Sequence, residues 1–260
     1  MILDQIVAAT AKRVAALKET TTLETLKSQV KPAKMPFAFE KTLARKSAAG
    51  EIAFICEVKK ASPSKGVIAA DFPYLEIARD YQAAGADAIS VLTEPDYFQG
   101  ANTYLTEIKA QVSIPVLRKD FIIDAIQIYE ASLIGADAIL LICSILDTDT
   151  IREYLEIADA LGLSALVEAH DEAEVKQALA AGARIIGVNN RNLKTFEVDL
   201  QNSIRLRQLV SPEILFVSES GIRTAEDIVK LRGNGTNAVL IGETLMRSGD
   251  KKAELDKLRG

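Results

Sequence analysis

The chain has 260 residues, 48% of them apolar and 26% charged, with a formal net charge of −5. That length fits one large α/β barrel, which buries about 75% of the unfolded surface and needs no disulfide staples. The acidic balance argues against nucleic acid as a partner, and no apolar run approaches the ~20 residues of a membrane span.

The opening stretch, MILDQIVAATAKRVAALK, sets Ile2, Leu3, Ile6, Val7, Val14 and Leu17 at helical spacing. With Asp4 near its start it lacks the layout of a cleavable signal and reads as a packed amphipathic helix. Residues 1 to about 50 form a helical extension broken near Pro32 and Pro36. Cys56 and Cys143 each fall in an apolar run, as expected of buried free thiols in a reducing cytoplasm.

The first strand-like run, IAFICEV, leads straight into the charged stretch EVKKASPSKG at residues 57–66. Buried charge is costly unless it is paired, so these side chains call for a polar cavity. Farther on, one pattern returns four times: AAGADAISVL, LIGADAILLI, AAGARIIGVN and GNGTNAVLIG. Each reads as a helix end, a turn glycine (Gly85, Gly135, Gly182, Gly235) and a short apolar strand. Interleaved with ICEV, IPVLRKD, LSALVEA and ILFVSES, they make eight candidate strands centred near residues 56, 90, 117, 140, 166, 186, 216 and 240. Helical patterns fill the gaps. Regular strand–helix alternation predicts a parallel sheet with right-handed crossovers. The fold class is therefore α/β: a single-domain (β/α)8 barrel over residues 1–260, with residues 1–50 as its N-terminal helical extension and an open doubly wound sheet as runner-up.

Alternation along the strands assigns their faces. Phe54, Cys56 and Val58 pack outward, which sends Glu57 and Lys59 into the lumen. The same reading turns Lys119, Glu168, Asn189 and Glu219 inward near the C-terminal ends of their strands, where barrel active sites lie. Four odd-numbered strands thus contribute one tier of mixed charge, the condition under which neighbours tune each other for acid–base chemistry. A purely structural ion-pair network is the competing explanation. SESGI (218–222) and LIGETL (240–245) set glycine between strand and helix after the seventh and eighth strands, the usual phosphate site of such barrels. His170, the only histidine, is read as preceding a helix, without a catalytic role. One histidine and no cysteine cluster leave no expected metal site.

The segments ICEVKKASPSKG, VLTEPDYFQG, VLRKDFIID, ADAILLICSIL, ALVEAH, IIGVNNRNLKTF, VSESGI and VLIGETLM together resemble indole-3-glycerol-phosphate synthases, in order and over nearly the whole chain. The resemblance implies decarboxylating, dehydrating closure of 1-(2-carboxyphenylamino)-1-deoxyribulose 5-phosphate to indole-3-glycerol phosphate in tryptophan biosynthesis. It implies no metal and no organic cofactor. Matched to the family's motifs, Lys119 is the general-acid lysine, and Lys59 contacts substrate and is a second proton donor. Glu168 and Glu57 serve proton transfer and charge stabilisation, beside Glu219 and Asn189. Arg191 and Ser220 fall at further substrate positions, Phe98 and Phe121 at an aromatic wall, and Pro63 and Leu193 close by. Ser62, Gly221, Gly242 and Glu243 fall at the phosphate end. Where some relatives carry serine this chain has Glu243, so its backbone N–H is expected to help while the carboxylate turns away.

Two other functions compete: a Schiff-base aldolase barrel using Lys119, and a barrel that only binds phosphorylated ligands. The expected protein is a cytoplasmic monomer acting on a small phosphorylated substrate, with no nucleic-acid or membrane partner.

Overall fold

The computed structural model describes residues 1–192 and 195–260. Its centre is a closed barrel of parallel strands: β1 (Ala53–Val58), β2 (Ala88–Leu92), β3 (Val116–Lys119), β4 (Ala138–Ile142), β5 (Ser164–Ala169), β6 (Ile185–Asn189), β7 (Leu215–Glu219) and β8 (Ala238–Ile241). Consecutive strands are neighbours, and β8 closes the barrel against β1. The register sets Glu57 beside Ser90, Leu92 beside Lys119, Ile142 beside Glu168 and Asn189 beside Glu219. The C-terminal residues of the strands therefore gather on one rim.

The sequence pattern explains the two apolar layers. Phe54, Cys56 and Val58 belong to the outer layer between strands and helices, whereas Ala53 and Ile55 join Leu117, Leu140, Leu166, Val217 and Leu240 inside the barrel. The turn glycines of the fourfold repeat all adopt the left-handed conformation, with φ of 82° at Gly85, 91° at Gly135, 92° at Gly182 and 80° at Gly235. A side chain there would be strained, which is why glycine recurs at each helix-to-strand turn.

Around the barrel run α4 (Tyr74–Ala83), α6 (Asn102–Gln111), α7 (Ile126–Leu133), α8 (Thr148–Ala160), α9 (Glu172–Ala181), α10 (Gln201–Arg207), α11 (Ala225–Gly233) and α13 (Lys251–Arg259). Two short helices, α5 (Pro95–Phe98) and α12 (Glu243–Arg247), lie on the C-terminal rim. A small antiparallel hairpin, Ala61–Ser62 with Gly66–Val67, carries the SPSKG segment beyond β1.

The helical extension divides its work between the two ends of the barrel. Of its helices α1 (Ile2–Thr20), α2 (Leu23–Gln29) and α3 (Ala38–Ala48), α3 inserts Phe39 and Leu43, both fully buried, into the inner apolar layer. They close the N-terminal end, as apolar filling of a small barrel requires. At the opposite rim α1 is tied down by Arg13, 2.9 Å from Glu94, and by Lys18, 2.5 Å from Asp124. Periodicity predicted the helices; it did not assign them to opposite ends.

Candidate active site

A cavity of about 430 Å3 opens at the C-terminal rim, within the range of small-molecule sites. Lys119, Lys59, Glu168, Glu57, Glu219 and Asn189 line it, with Arg191, Ser220, Phe98, Phe121, Pro63, Ser62, Gly221, Gly242 and Glu243. Leu193 lies outside the described residues. Ile2, Leu3 and Ile6 of α1 complete the apolar wall. Composition could not reveal this contribution, because those residues approach the rim only through the fold.

Charge pairing explains why so many ionic groups are tolerated below the surface. Lys119 Nζ lies 3.1 Å from Glu168 Oε2 and 3.4 Å from Glu219 Oε2, with only 14% of its side chain exposed. Burial alone would lower its pKa, but the carboxylates of Glu168, Glu219 and Glu57 outweigh it and hold the ammonium well above the ordinary lysine value. Burial pushes the other way on Glu168, yet Lys119 and His170 keep its carboxyl below the usual range. Glu219 differs: burial, with Glu168 and Glu57 nearby, pushes it up to about 7 despite Lys119. Two carboxylates sharing one lysine are thus driven apart, one ionised and one poised near neutrality. On the neighbouring wall Lys59 pairs with Glu57 Oε1, so the tier sets two lysines among three carboxylates.

Backbone and outer-face contacts set these side chains. Asn189 donates from Nδ2 to Glu168 Oε1 at 3.4 Å, and its Oδ1 accepts the Arg191 N–H at 3.0 Å. Next to Lys119, buried Arg118 faces outward and donates to Gln127 O at 2.9 Å, Glu130 Oε2 at 2.7 Å and Asp120 Oδ2 at 3.2 Å. This pins the end of β3 that carries the lysine. The second asparagine of NNR, Asn190, also points away from the cavity. It donates to Ser218 Oγ and Ser220 O, both at 3.0 Å, and accepts from Ser203 Oγ at 2.8 Å, which fixes the β7 turn.

Two glycines leave room for carboxylates. A Cβ on Gly187 would collide with Glu219 Oε1 and lie 3.1 Å from Leu166 Cδ1; one on Gly242 would collide with Glu57 and lie 3.0 Å from Lys59 Nζ. Gly187→Ala should displace Glu219, lower kcat at least tenfold and cost about 1–3 kcal/mol of stability. Steady-state kinetics and urea unfolding measure the two effects.

Two of the residues expected at a phosphate end depart from the sequence expectation. Gly221 does not open a helix: α11 begins only at Ala225, and its first turn is already capped by Thr224 and Asp227. Gly221 instead sits in a turn with φ 85°, where a Cβ would run into Val198. The Glu243 carboxylate does not turn away either. It faces Lys65 at 3.6 Å, Arg191 at 3.8 Å and Arg247 at 3.2 Å, and these three cations outweigh its partial burial and keep it below the usual carboxylate range. Phe98 and Phe121 form one aromatic wall of the cavity, with ring centroids 6.0 Å apart. Glu94 supports it by accepting backbone N–H groups of Asp96, Tyr97 and Phe98 while paired to Arg13 of α1.

A closed (β/α)8 barrel with two lysines set among three carboxylates in a cavity at its C-terminal rim has the architecture of a barrel enzyme. The family model for indole-3-glycerol phosphate synthase matches residues 3–258. The chain is 65% identical over 262 residues to the indole-3-glycerol phosphate synthase of Ruminiclostridium cellulolyticum, covering 100% of this chain and 99% of that one. It is 57% identical over 261 residues to that of Endomicrobium trichonymphae, covering 100% of each. The chain belongs to the indole-3-glycerol phosphate synthase family. Solved structures share the fold at low identity: 3-hexulose-6-phosphate synthase, with TM-score 0.62 and 17% identity over 80% of this chain and 98% of that one, and thiamine phosphate pyrophosphorylase from Pyrococcus furiosus, with 0.61 and 16% over 83% and 96%.

Proposed function

We infer that the protein is a carbon–carbon lyase that converts 1-(2-carboxyphenylamino)-1-deoxyribulose 5-phosphate to indole-3-glycerol phosphate, CO2 and water, a step of tryptophan biosynthesis. The observation that carries the chemical reading is Lys119 held as an ammonium between Glu168 and Glu219. The ring carbon bearing the carboxylate attacks the ketone carbon, and Lys119 protonates the alkoxide as it forms. Glu168, kept ionised, stabilises the cationic ring until CO2 leaves and returns its bonding electrons to the aromatic system. In the second stage Lys59 protonates the departing hydroxyl, and its partner Glu57 takes the carbon-bound proton, so that water is lost and the indole is complete. Phe98 and Phe121 flank the anthranilate ring, with Pro63 beside them. Asn189 and Ser220 fix the ribulose part.

Arg191, Lys65 and Arg247 hold the phosphate, with Ser62 and the Gly221 and Gly242 turns as neutral neighbours. Glu243 occupies these cations when no phosphate is present. Glu243→Gln should therefore lower KM about three- to tenfold and leave kcat within about twofold; initial-rate kinetics at fixed ionic strength measure both.

A Schiff-base mechanism would need Lys119 as the free amine, and three carboxylates oppose that state. The two buried free thiols suit the reducing cytoplasm. Incubating the purified protein with the substrate should give indole fluorescence and release CO2. Folded protein that yields neither would overturn the reading.

A further inference from the structure

We propose that His170 is a positioning residue for Glu168, its ring clamped from behind so that the proton on Nε2 points at the Glu168 carboxylate. The proposal rests on the reading of Glu168 as part of the acid–base tier and adds a group that tier did not include.

His170 is the residue after β5 and directly precedes Asp171, the N-cap of α9. Its side chain is only 15% exposed. On one side Nδ1 lies 3.0 Å from Glu174 Oε2 and 3.3 Å from Ser144 Oγ. Ser144 donates its hydroxyl to Glu174 Oε1 at 2.6 Å, and the His170 backbone N–H donates to Glu174 Oε2 at 2.7 Å. Asn202 donates to the His170 carbonyl at 2.9 Å. Backbone and ring are held from α9, α10 and the loop after β4, more support than a surface histidine ahead of a helix requires.

On the other side, Nε2 is buried and makes no ordinary hydrogen bond; Glu168 Oε1 lies 3.4 Å away. Glu174 is an acceptor, so Nδ1 must carry a proton. A neutral ring would then turn a lone pair toward the Glu168 carboxylate. Only the doubly protonated ring gives each carboxylate a donor. Glu168 would thus be bracketed by cations, with Lys119 on Oε2 and His170 on Oε1. The groups that bear on the ring agree in sign: Glu168 from β5, Glu174 from α9 and Glu219 from β7 all favour the imidazolium and together outweigh its burial. Lys119, on the far oxygen of Glu168, is the opposing charge, and Asp171 is engaged in capping α9. Coupling is reciprocal, so a histidine that senses Glu168 must also help to keep Glu168 ionised and directed at Lys119.

Because the chain has one histidine, its ring can be followed without ambiguity in the intact protein. Titration of the imidazole nitrogens by 15N NMR should show both nitrogens protonated to above the ordinary histidine midpoint. Glu168→Gln and Glu174→Gln should each lower that midpoint by about half a pH unit or more. This readout is independent of turnover. A midpoint that falls in Glu174→Gln but stays put in Glu168→Gln would leave His170 a helix-end contact only and overturn the proposal. In kinetics, His170→Asn should move the acid limb of kcat/KM up by about 0.5–1 pH unit while kcat at pH 8 stays within about tenfold. A uniform loss of kcat with an unmoved acid limb would equally overturn it, and if His170→Asn does not fold the NMR titration decides alone.

Discussion

Replacing Lys119 by alanine is expected to lower kcat about a thousandfold while KM changes by less than about tenfold, since general acid catalysis contributes about 10²- to 10⁴-fold and the phosphate and aromatic contacts remain. Lys119 ends β3, is barely exposed and touches both Glu168 and Glu219, so no neighbouring lysine reaches the same place. Lys59 lies on β1 and is engaged by Glu57. Lys119→Arg separates charge from proton donation: a guanidinium keeps the positive charge but does not give up its proton in proteins, and its delocalised fork places its N–H groups away from the lysine Nζ position. That variant should bind substrate yet remain at least about a hundredfold slow. Single-turnover kinetics with separate measurement of substrate affinity would check both. Near-normal turnover by Lys119→Ala would move the first proton transfer to Lys59.

Glu219→Gln should stabilise the fold, increasingly so as pH rises. Burial pushes the Glu219 carboxyl up to about 7, above the 4.5 of an unperturbed glutamate. Because the folded-state value is raised, the native protein holds a proton that the unfolded chain loses between these values. Glu219 therefore imposes no ionisation penalty below the unfolded value, and its penalty grows through this window to a full cost above about pH 7. A glutamine of the same shape does not titrate. Its advantage over the wild type should grow by about 2 kcal/mol between pH 5 and pH 8, or several degrees in Tm for a chain of this size. Paired thermal melts at the two pH values measure it. An advantage independent of pH would place the Glu219 proton elsewhere in the cluster.

These expectations rest on residues that could be selected from the one-dimensional chain. EVKK, RKD, VEA, NN and SES each end an apolar run in charge or amide at a spacing that only an inward-facing strand end explains. The related folds and the family match agree with that reading of the barrel. Other contributions were invisible to it because they depend on where distant segments arrive. Gly187 reads as one more strand residue until the adjacent strand brings the Glu219 carboxylate into the space a Cβ would need. Ile2, Leu3 and Ile6 read as one face of a helix, and that face becomes the wall of the cavity because Arg13 and Lys18 bind α1 to the rim. For Glu243, simple repulsion by a phosphate argued that its carboxylate would turn away. The fold instead surrounds it with Lys65, Arg191 and Arg247, from three separate parts of the chain.

By itself the sequence determined the strand–helix alternation, the inward or outward facing of each strand residue and the charged tier, because all three follow from period and local stereochemistry. The tertiary structure alone decided which charges share a proton, which helix covers the mouth and which closes the floor. Those outcomes depend on distances of three to four ångströms between residues far apart in the chain, as between Lys119 and Glu219, 100 positions apart and 3.4 Å from each other. No local pattern encodes such distances; the closed barrel does, because its cyclic hydrogen-bonding register brings every strand end to one rim.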